Sequence, residues 1–171
     1  KEMVVKAWGY LTRHLRETKW ENLGVEFLVF LNYVASSYPD ASWTGNFFSD
    51  GERQKILDYT FAHWKKVSPL TKAQLALTLQ RLKRAADAKL VMDSIMDSSK
   101  TNEDEGTFWV AEDRAWLWYN DTIEGHAYAL RALTELNPQD ARRDGLVQWL
   151  FLNKKLSHWK STRATAEALY A

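Results

Sequence analysis

A short pattern near the C-terminal end constrains the fold of this chain most. Trp159 is followed by Ser161 and Thr162, and then by a segment rich in Ala and Leu that reaches Ala171. A Ser or Thr side chain in this position accepts a hydrogen bond from a backbone N–H two or three residues on, and so begins a helix. Either Ser161 or Thr162 can supply this cap. The small residues behind the cap leave one helix face on which a neighbouring backbone can approach closely.

The same pattern stands forty positions earlier, where Trp118, Asp121 and Thr122 precede an Ala- and Leu-rich segment ending at Leu136. A third, looser copy begins at Thr71. A capped helix that recurs at this spacing is typical of an array of helix pairs. We therefore expect these residues to be the structural signature of a degenerate repeat: Trp118, Asp121, Thr122, Trp159, Ser161 and Thr162.

Composition and periodicity agree with a helical chain. Seven Gly, three Pro and a hydrophobic fraction of 46% favour helices around a sizeable core. Apolar residues at helical spacing predict helices over 2–18, 22–37, 50–66, 72–85, 88–98, 122–136, 139–153 and 162–171. Capping boxes are predicted at Ser49 with Glu52 and at Thr71 with Gln74. Residues 99–106 are predicted to form a polar loop, and residues 107–120 an extended aromatic segment.

The predicted fold class is all-α. The eight helices form about four hairpins, and the second helix of each pair is richer in Ala and Leu than the first. This difference predicts an array with the second helices inside, either an open solenoid or a closed α/α toroid. We expect 72–85 and 122–136 to be among the most buried helices. Because no linker composition interrupts the array, residues 1–171 are predicted to be a single domain or part of one.

Charge and cysteine content exclude several kinds of function. The 23 basic and 22 acidic residues nearly balance and form no sustained basic run, so a nucleic-acid interface is not expected. The absence of Cys excludes disulfides, thiolate metal sites and cysteine nucleophiles within these residues.

Several of these segments resemble a known family. The run Trp159-Lys160-Ser161-Thr162, followed by an Ala/Leu helix, resembles the end of the thioester-containing domain in the alpha-2-macroglobulin and complement family. Residues 122–136 and 146–150 are similar to the last inner and outer helices that precede it. Residues 70–77 resemble a Leu-Thr-Lys-Ala helix of bacterial members, and Gly24-Val25-Glu26 resembles the start of an earlier inner helix.

This resemblance implies an α/α toroid of the terpenoid cyclase and thioester-domain type, of which the chain would hold about the last four hairpins. It also implies a parent protein of the bacterial branch, a broad-range endopeptidase inhibitor of the periplasm or cell envelope. The partners would be trapped proteases and neighbouring β-sandwich macroglobulin domains. The chain departs from the family in lacking the reactive Cys. The loop before 22–37 also lacks the histidine that complement-type members carry there. We therefore expect a non-catalytic part, with no cofactor and no metal.

The sequence also offers other chemistry, which we judge the weaker interpretation. The aromatic rings of four residues could stack on sugars, but rings in such loops more often fill gaps between hairpins: Trp109, Trp116, Trp118 and Tyr119. The acidic residues 103–105 with Glu112 and Asp113 could supply a glycosidase acid and base. These features support the alternative of an α/α-toroid carbohydrate-active enzyme. The pairs His14 with Glu17 and Glu124 with His126 could each give two metal ligands, but catalytic zinc needs a third.

Overall fold

The computed structural model describes residues 1–38, 40–45, 47–109, 122–155 and 158–171. Well over half of these residues lie in helices, which confirms the predicted all-α class. The helices are α1 (Glu2–Glu17), α2 (Val25–Ser36), α3 (Asp50–Ala62), α4 (Pro69–Arg81), α5 (Ala85–Asp97), α6 (Thr122–Leu136), α7 (Arg142–Leu152) and α8 (Thr162–Tyr170). Strands β1 (Lys100–Asn102) and β2 (Gly106–Phe108) pair antiparallel. The residues fall into two compact units, an N-terminal unit (1–67) and a C-terminal unit (68–171).

The N-terminal unit has an aromatic core. Trp8 of α1 packs against Phe47, with ring centroids 4.4 Å apart. The neighbouring Phe48 has a φ of 51°, in the left-handed region that bulky residues rarely adopt. Its backbone N–H donates to Thr12 Oγ1 at 3.2 Å, and its ring is buried. Burial and this hydrogen bond together hold the unfavourable turn that leads into α3.

The predicted capping box at the start of α3 is confirmed. The Ser49 backbone N–H donates to Glu52 Oε2 at 2.9 Å, and Ser49 Oγ accepts from the Glu52 N–H. Glu52 also accepts from Arg16 of α1, with Nε to Oε1 at 2.9 Å. The hydrogen bonds from Arg16, and then those from Ser49, lower the pKa of Glu52 to about 2. The Glu52 carboxylate thus caps the start of α3 and also links α3 to α1.

In the C-terminal unit, α6 packs against both α4 and α8, while α5 packs on α4 and α6, and α7 packs on α6. Nine of the 13 residues of α4 and ten of the 15 residues of α6 are buried. The prediction that these are the most buried helices is confirmed. Helix α8 differs, because only Ala164 among its residues is buried.

The predicted start of α4 was wrong. Ser68, rather than Thr71, is the cap, and its Oγ accepts from the Thr71 N–H at 3.2 Å. Pro69 then occupies the first turn, where its missing N–H leaves no donor unsatisfied. Ser68-Pro69 therefore begins α4, and the capping box predicted for Thr71 with Gln74 does not form. Both of those side chains are buried.

Several other boundaries also differ from the prediction: α2 begins at Val25 rather than 22, and α3 ends at Ala62 rather than 66. Helix α7 begins at Arg142 rather than 139, since the Asp140 carboxylate accepts from the Arg142 N–H at 3.0 Å. Residues 100–108, predicted as a polar loop leading into an extended segment, contain the β1–β2 hairpin. Thr107 and Phe108 are extended as predicted, whereas residues 110–120 of the predicted aromatic segment lie outside the described residues.

Helices α4 and α5 are joined by only three residues, 82–84. Lys83 has a φ of 62°, the Arg84 N–H donates to Leu79 O at 2.8 Å, and the Lys83 N–H donates to Gln80 O at 3.0 Å. These two bonds and the left-handed residue make a Schellman motif. It ends α4 abruptly, so that α5 begins at Ala85 and includes the turn predicted around 86–87.

No helix among the described residues is both long and apolar enough to cross a bilayer.

Lys83 provides a test of this junction. Replacing Lys83 by Gly should raise the free energy of unfolding by about 0.5–1 kcal/mol, because Gly adopts positive φ without the steric cost that an L-residue meets. Lys83→Ala is the matched control, since it removes the same exposed side chain but keeps the steric cost. Urea denaturation should show a higher midpoint for Lys83→Gly than for Lys83→Ala. Equal midpoints would contradict the assignment of a strained position.

Candidate functional site

The C-terminal copy of the signature forms the start of α8. Ser161 is the cap, and its Oγ accepts from the Ala164 N–H at 3.0 Å. Thr162 is the first helical residue and is exposed. Thr165 Oγ1 donates to Ser161 O at 2.8 Å and accepts from the Trp159 N–H at 3.0 Å. Of the two caps that the sequence allowed, the structure therefore selects Ser161.

Trp159 is buried, with 5% of its surface exposed. Its Nε1–H donates to Leu150 O of α7 at 2.7 Å, so the indole joins the end of α7 to the start of α8. Trp149, on the same helix as Leu150, stacks on His126 of α6, with centroids 3.6 Å apart and planes 11° apart.

The earlier copy of the signature is described only in part. Thr122 is the first residue of α6 and is half-buried, and its carbonyl accepts from His126 Nδ1 at 2.7 Å. Trp118 and Asp121 lie outside the described residues, so the capping role predicted for Asp121 stays a prediction.

Helices α6 and α8 are joined by two ion pairs. Glu124, with 5% of its side chain exposed, accepts from Arg163 through both carboxylate oxygens, with Nε to Oε1 at 2.6 Å. A buried carboxylate without such a partner would be strongly destabilising, since its charge would lose hydration and gain nothing in return.

The second pair lies further along the same two helices. Arg131, with 8% of its side chain exposed, is 2.8 Å from Glu167 Oε2, and Tyr128 Oη donates to Glu167 Oε1 at 3.1 Å. The Arg131 guanidinium also lies over the Tyr170 ring, 4.2 Å from its centroid. These contacts fix the axial position of α8 on α6.

His126 sits at the centre of a second group of contacts. Its Nδ1 donates to Thr122 O, and its Nε2 accepts from the Trp109 backbone N–H at 3.2 Å. The ring therefore carries its proton on Nδ1 and is neutral. Trp109 meets it edge-on at 4.8 Å. Burial lowers the pKa of His126 to about 4, against the opposite effect of the bond to Thr122 O.

The β1–β2 hairpin approaches α7 through two glycines. Gly106 has a φ of 79°, and its Cα faces the backbone of Gly145, a residue inside α7. A Cβ on Gly145 would meet the Thr107 side chain and would lie 2.8 Å from Thr107 N. Gln148 of α7 adds a hydrogen bond from Nε2 to Glu103 O at 2.8 Å. Sequence reasoning missed this contact, although an isolated Gly within a helical pattern was its signal.

The candidates for sugar chemistry are not brought together within the described residues. Trp109 is only half-buried, but its Nε1–H donates to Ile95 O at 3.0 Å and its ring contacts His126. Residues 103–105 are exposed at the hairpin turn, where Glu105 is bound to Asn102. Trp116, Trp118, Tyr119, Glu112 and Asp113 lie outside the described residues.

The candidate metal pairs do not converge. Glu124 faces Arg163 while His126 faces Trp109, because residues two apart point to different sides of a helix. His14 stacks on Tyr10 at the surface of α1. No cluster of three or more His, Asp or Glu side chains with metal-binding geometry occurs in the part of the chain that the structure describes.

The described residues form an open groove in each unit. In the C-terminal unit, a groove of about 470 Å³ between α6, α7 and α8 is lined mainly by apolar side chains, including Leu130, Leu150, Trp159 and Ala168. Its polar lining comprises Thr134 with Arg143 and Asp144. In the N-terminal unit, a groove of about 460 Å³ lies beside the Arg16–Glu52 pair.

Comparisons with models of known protein families, with curated proteins and with solved structures found no match for this chain. Its functional interpretation therefore rests on the residues and on the contacts described above.

Trp159 gives a test of the α7–α8 junction. Trp159→Ala should destabilise by about 3–5 kcal/mol, since it removes a buried ring and leaves the Leu150 carbonyl without its donor. Phe151→Ala is the control, because Phe151 lines the same groove but is 69% exposed. Thermal unfolding should show a drop of roughly 10 °C for Trp159→Ala and little change for Phe151→Ala. An unchanged melting temperature for Trp159→Ala would favour a ligand-stacking role instead.

The contact between Gly145 and the hairpin can be tested by two Gly→Ala substitutions that should change stability in opposite directions. Gly→Ala inside a helix normally stabilises by up to about 1 kcal/mol. Gly51→Ala in α3 should stabilise the protein in this way, because nothing lies within 4 Å of its added methyl group. Gly145→Ala should destabilise, because its methyl group would collide with Thr107 of β2. Chemical denaturation of the two variants checks the difference, and two stabilising substitutions would mean that the hairpin does not lie against α7.

Proposed function

We propose that this chain is a non-catalytic part of a macroglobulin-like, broad-range endopeptidase inhibitor. In this proposal α4, α6 and α8 are inner helices of an α/α toroid of the thioester-domain type, and α5 and α7 are outer helices. The packing of α4, α5, α7 and α8 against α6 supports this arrangement. So does the Ser161 cap, which lies where the family resemblance expects one.

The observation that carries the non-catalytic role is the direction of the buried charges on α6. A catalytic site directs an acid, a base or a nucleophile into a cleft that substrate can enter. Glu124 and Arg131 instead bind Arg163 and Glu167 of α8. His126 is enclosed by Trp109 and Trp149. These side chains fix helices to one another, which suits a body that is moved as a whole during protease trapping.

The proposal assigns the chemistry of capture to other parts of the protein. Because these residues include no Cys, a thioester could form only elsewhere in the parent protein. The partners would be the trapped proteases and the neighbouring β-sandwich domains of the same polypeptide. The parent would act in the periplasm, at the cell envelope or outside the cell.

The test uses the whole protein that carries this chain, purified from its source and incubated with trypsin. Trapping should reduce the cleavage of casein while leaving the cleavage of a small chromogenic peptide intact, since an enclosed protease still admits small substrates. A complex should also appear on a native gel. Soybean trypsin inhibitor is the control, because a block at the active site abolishes both activities.

Three results would contradict the proposal. The first is a native polypeptide of only about 19.9 kDa, the mass of this chain. The second is undiminished cleavage of casein. The third is the release of reducing sugar from polysaccharides by residues 1–171 alone, which would establish the carbohydrate-active alternative. The isolated chain is also expected to incorporate no methylamine in a mass-spectrometric assay.

A further inference from the structure

His126 is the point at which three elements of the C-terminal unit meet. It belongs to α6, its Nε2 accepts from the backbone of Trp109 just after β2, and its ring stacks on Trp149 of α7. Only 2% of its surface is exposed. Both ring nitrogens are committed, one as a donor to Thr122 O and one as an acceptor from Trp109.

We propose that His126 is an acid-sensitive latch: when its Nε2 takes up a proton, the segment Lys100–Trp109 is released from α6 and α7. The proton comes from solvent and converts the neutral imidazole to imidazolium. The Nε2–H so formed points at the Trp109 N–H, and two donors cannot share a hydrogen bond. The contact that holds Trp109 against α6 thus becomes repulsive.

Among the described residues, the surroundings of His126 do not compensate for the new charge. Trp149 could stabilise an imidazolium through its ring face, but that gain is small beside the loss of hydration in a closed apolar site. Burial is the larger effect, and it lowers the pKa of His126 from 6.5 to about 4.

The charged groups on the surrounding elements are directed at one another. On α6, Glu124 binds Arg163 of α8. On α7, the Arg142 guanidinium pairs with the Asp140 carboxylate. The charges of Asp97 and Asp93 on α5 also raise the pKa of Arg142. Strand β2 has no ionisable side chain. Among the described residues, none of these charges contributes to the pKa of His126.

The direction of the pH effect follows from linkage. The closed state favours neutral His126, with a pKa of about 4, while the open state titrates near 6.5. The latch is therefore fully effective above pH 6.5 and weakens as pH falls from 6.5 towards 4. Between pH 7.4 and pH 4.5 the equilibrium constant for opening should rise roughly 70-fold.

Hydrogen exchange of the Trp109 amide tests the latch in the intact chain. After correction for intrinsic exchange rates, its protection should fall roughly 70-fold from pH 7.4 to pH 4.5. His126→Gln retains a donor and an acceptor but cannot titrate, so its protection should change less than about 3-fold. His63→Gln is the matched control, because His63 also bonds the carbonyl four residues back, that of Tyr59, and contacts an aromatic ring. In His63→Gln, the protection of the Trp109 amide should fall with pH as it does in the wild-type protein.

A measurement on the wild-type chain makes the test independent of whether the variants fold. Nitrogen-15 chemical shifts of the imidazole should show the Nδ1–H tautomer at pH 7 and no protonation of His126 before about pH 5. Titration near 6.5 would overturn the proposal. Equal losses of Trp109 protection in wild-type protein and His126→Gln would do so as well.

Discussion

The C-terminal unit depends on one constraint, the need of α6 to pair the polar side chains that it buries. Glu124, His126 and Arg131 lie on a helix with ten of its 15 residues buried. An uncompensated buried charge costs several kcal/mol, and an unpaired buried polar atom about 1–3 kcal/mol, so each of these side chains requires a partner in a defined position. Arg163 pairs with Glu124, and Glu167 pairs with Arg131. The Trp109 backbone N–H donates a hydrogen bond to His126. Such pairs add little net stability, but they specify how α8 and the segment after β2 are placed on α6.

A second constraint complements the first, namely the close approach of backbones where side chains are absent. Gly106 and Gly145 bring the hairpin against α7, and Gln148 of α7 then bonds the hairpin turn. A side chain at position 145 would lift the hairpin from the helix. At the junction between α7 and α8 a large side chain, rather than the lack of one, determines the packing. The Trp159 ring fills this junction, and its Nε1–H donates to a carbonyl at the end of α7. Steric fit therefore places the hairpin, while charge pairing places α8.

Local signals account for what could be predicted from the sequence. Helices α1, α6 and α8 match their predicted ranges within a residue, and the Ser49–Glu52 box forms, because periodicity and capping depend on neighbours in the chain. The start of α4 was mispredicted because Ser-Pro is compatible with both ending and beginning a helix. The hairpin was missed because its stability comes from α7, about forty residues away. Likewise, nothing near His126 in the sequence indicates that Trp109 is its partner, and the burial of His126 follows only from the packing of α6.

The Schellman junction at Lys83 has a consequence for the order of folding. Helices α4 and α5 pack closely across a connection of three residues, 82–84, so little chain entropy is lost when they meet. The contacts between α6 and α8 join residues 36 to 39 positions apart and must wait for a much larger loop to close. Contacts between residues close in the chain form fastest, so the α4–α5 hairpin is the expected nucleus onto which α6 and then α8 condense. On this view the contacts between α4 and α5 govern how quickly the unit folds, and the ion pairs between α6 and α8 form after that step.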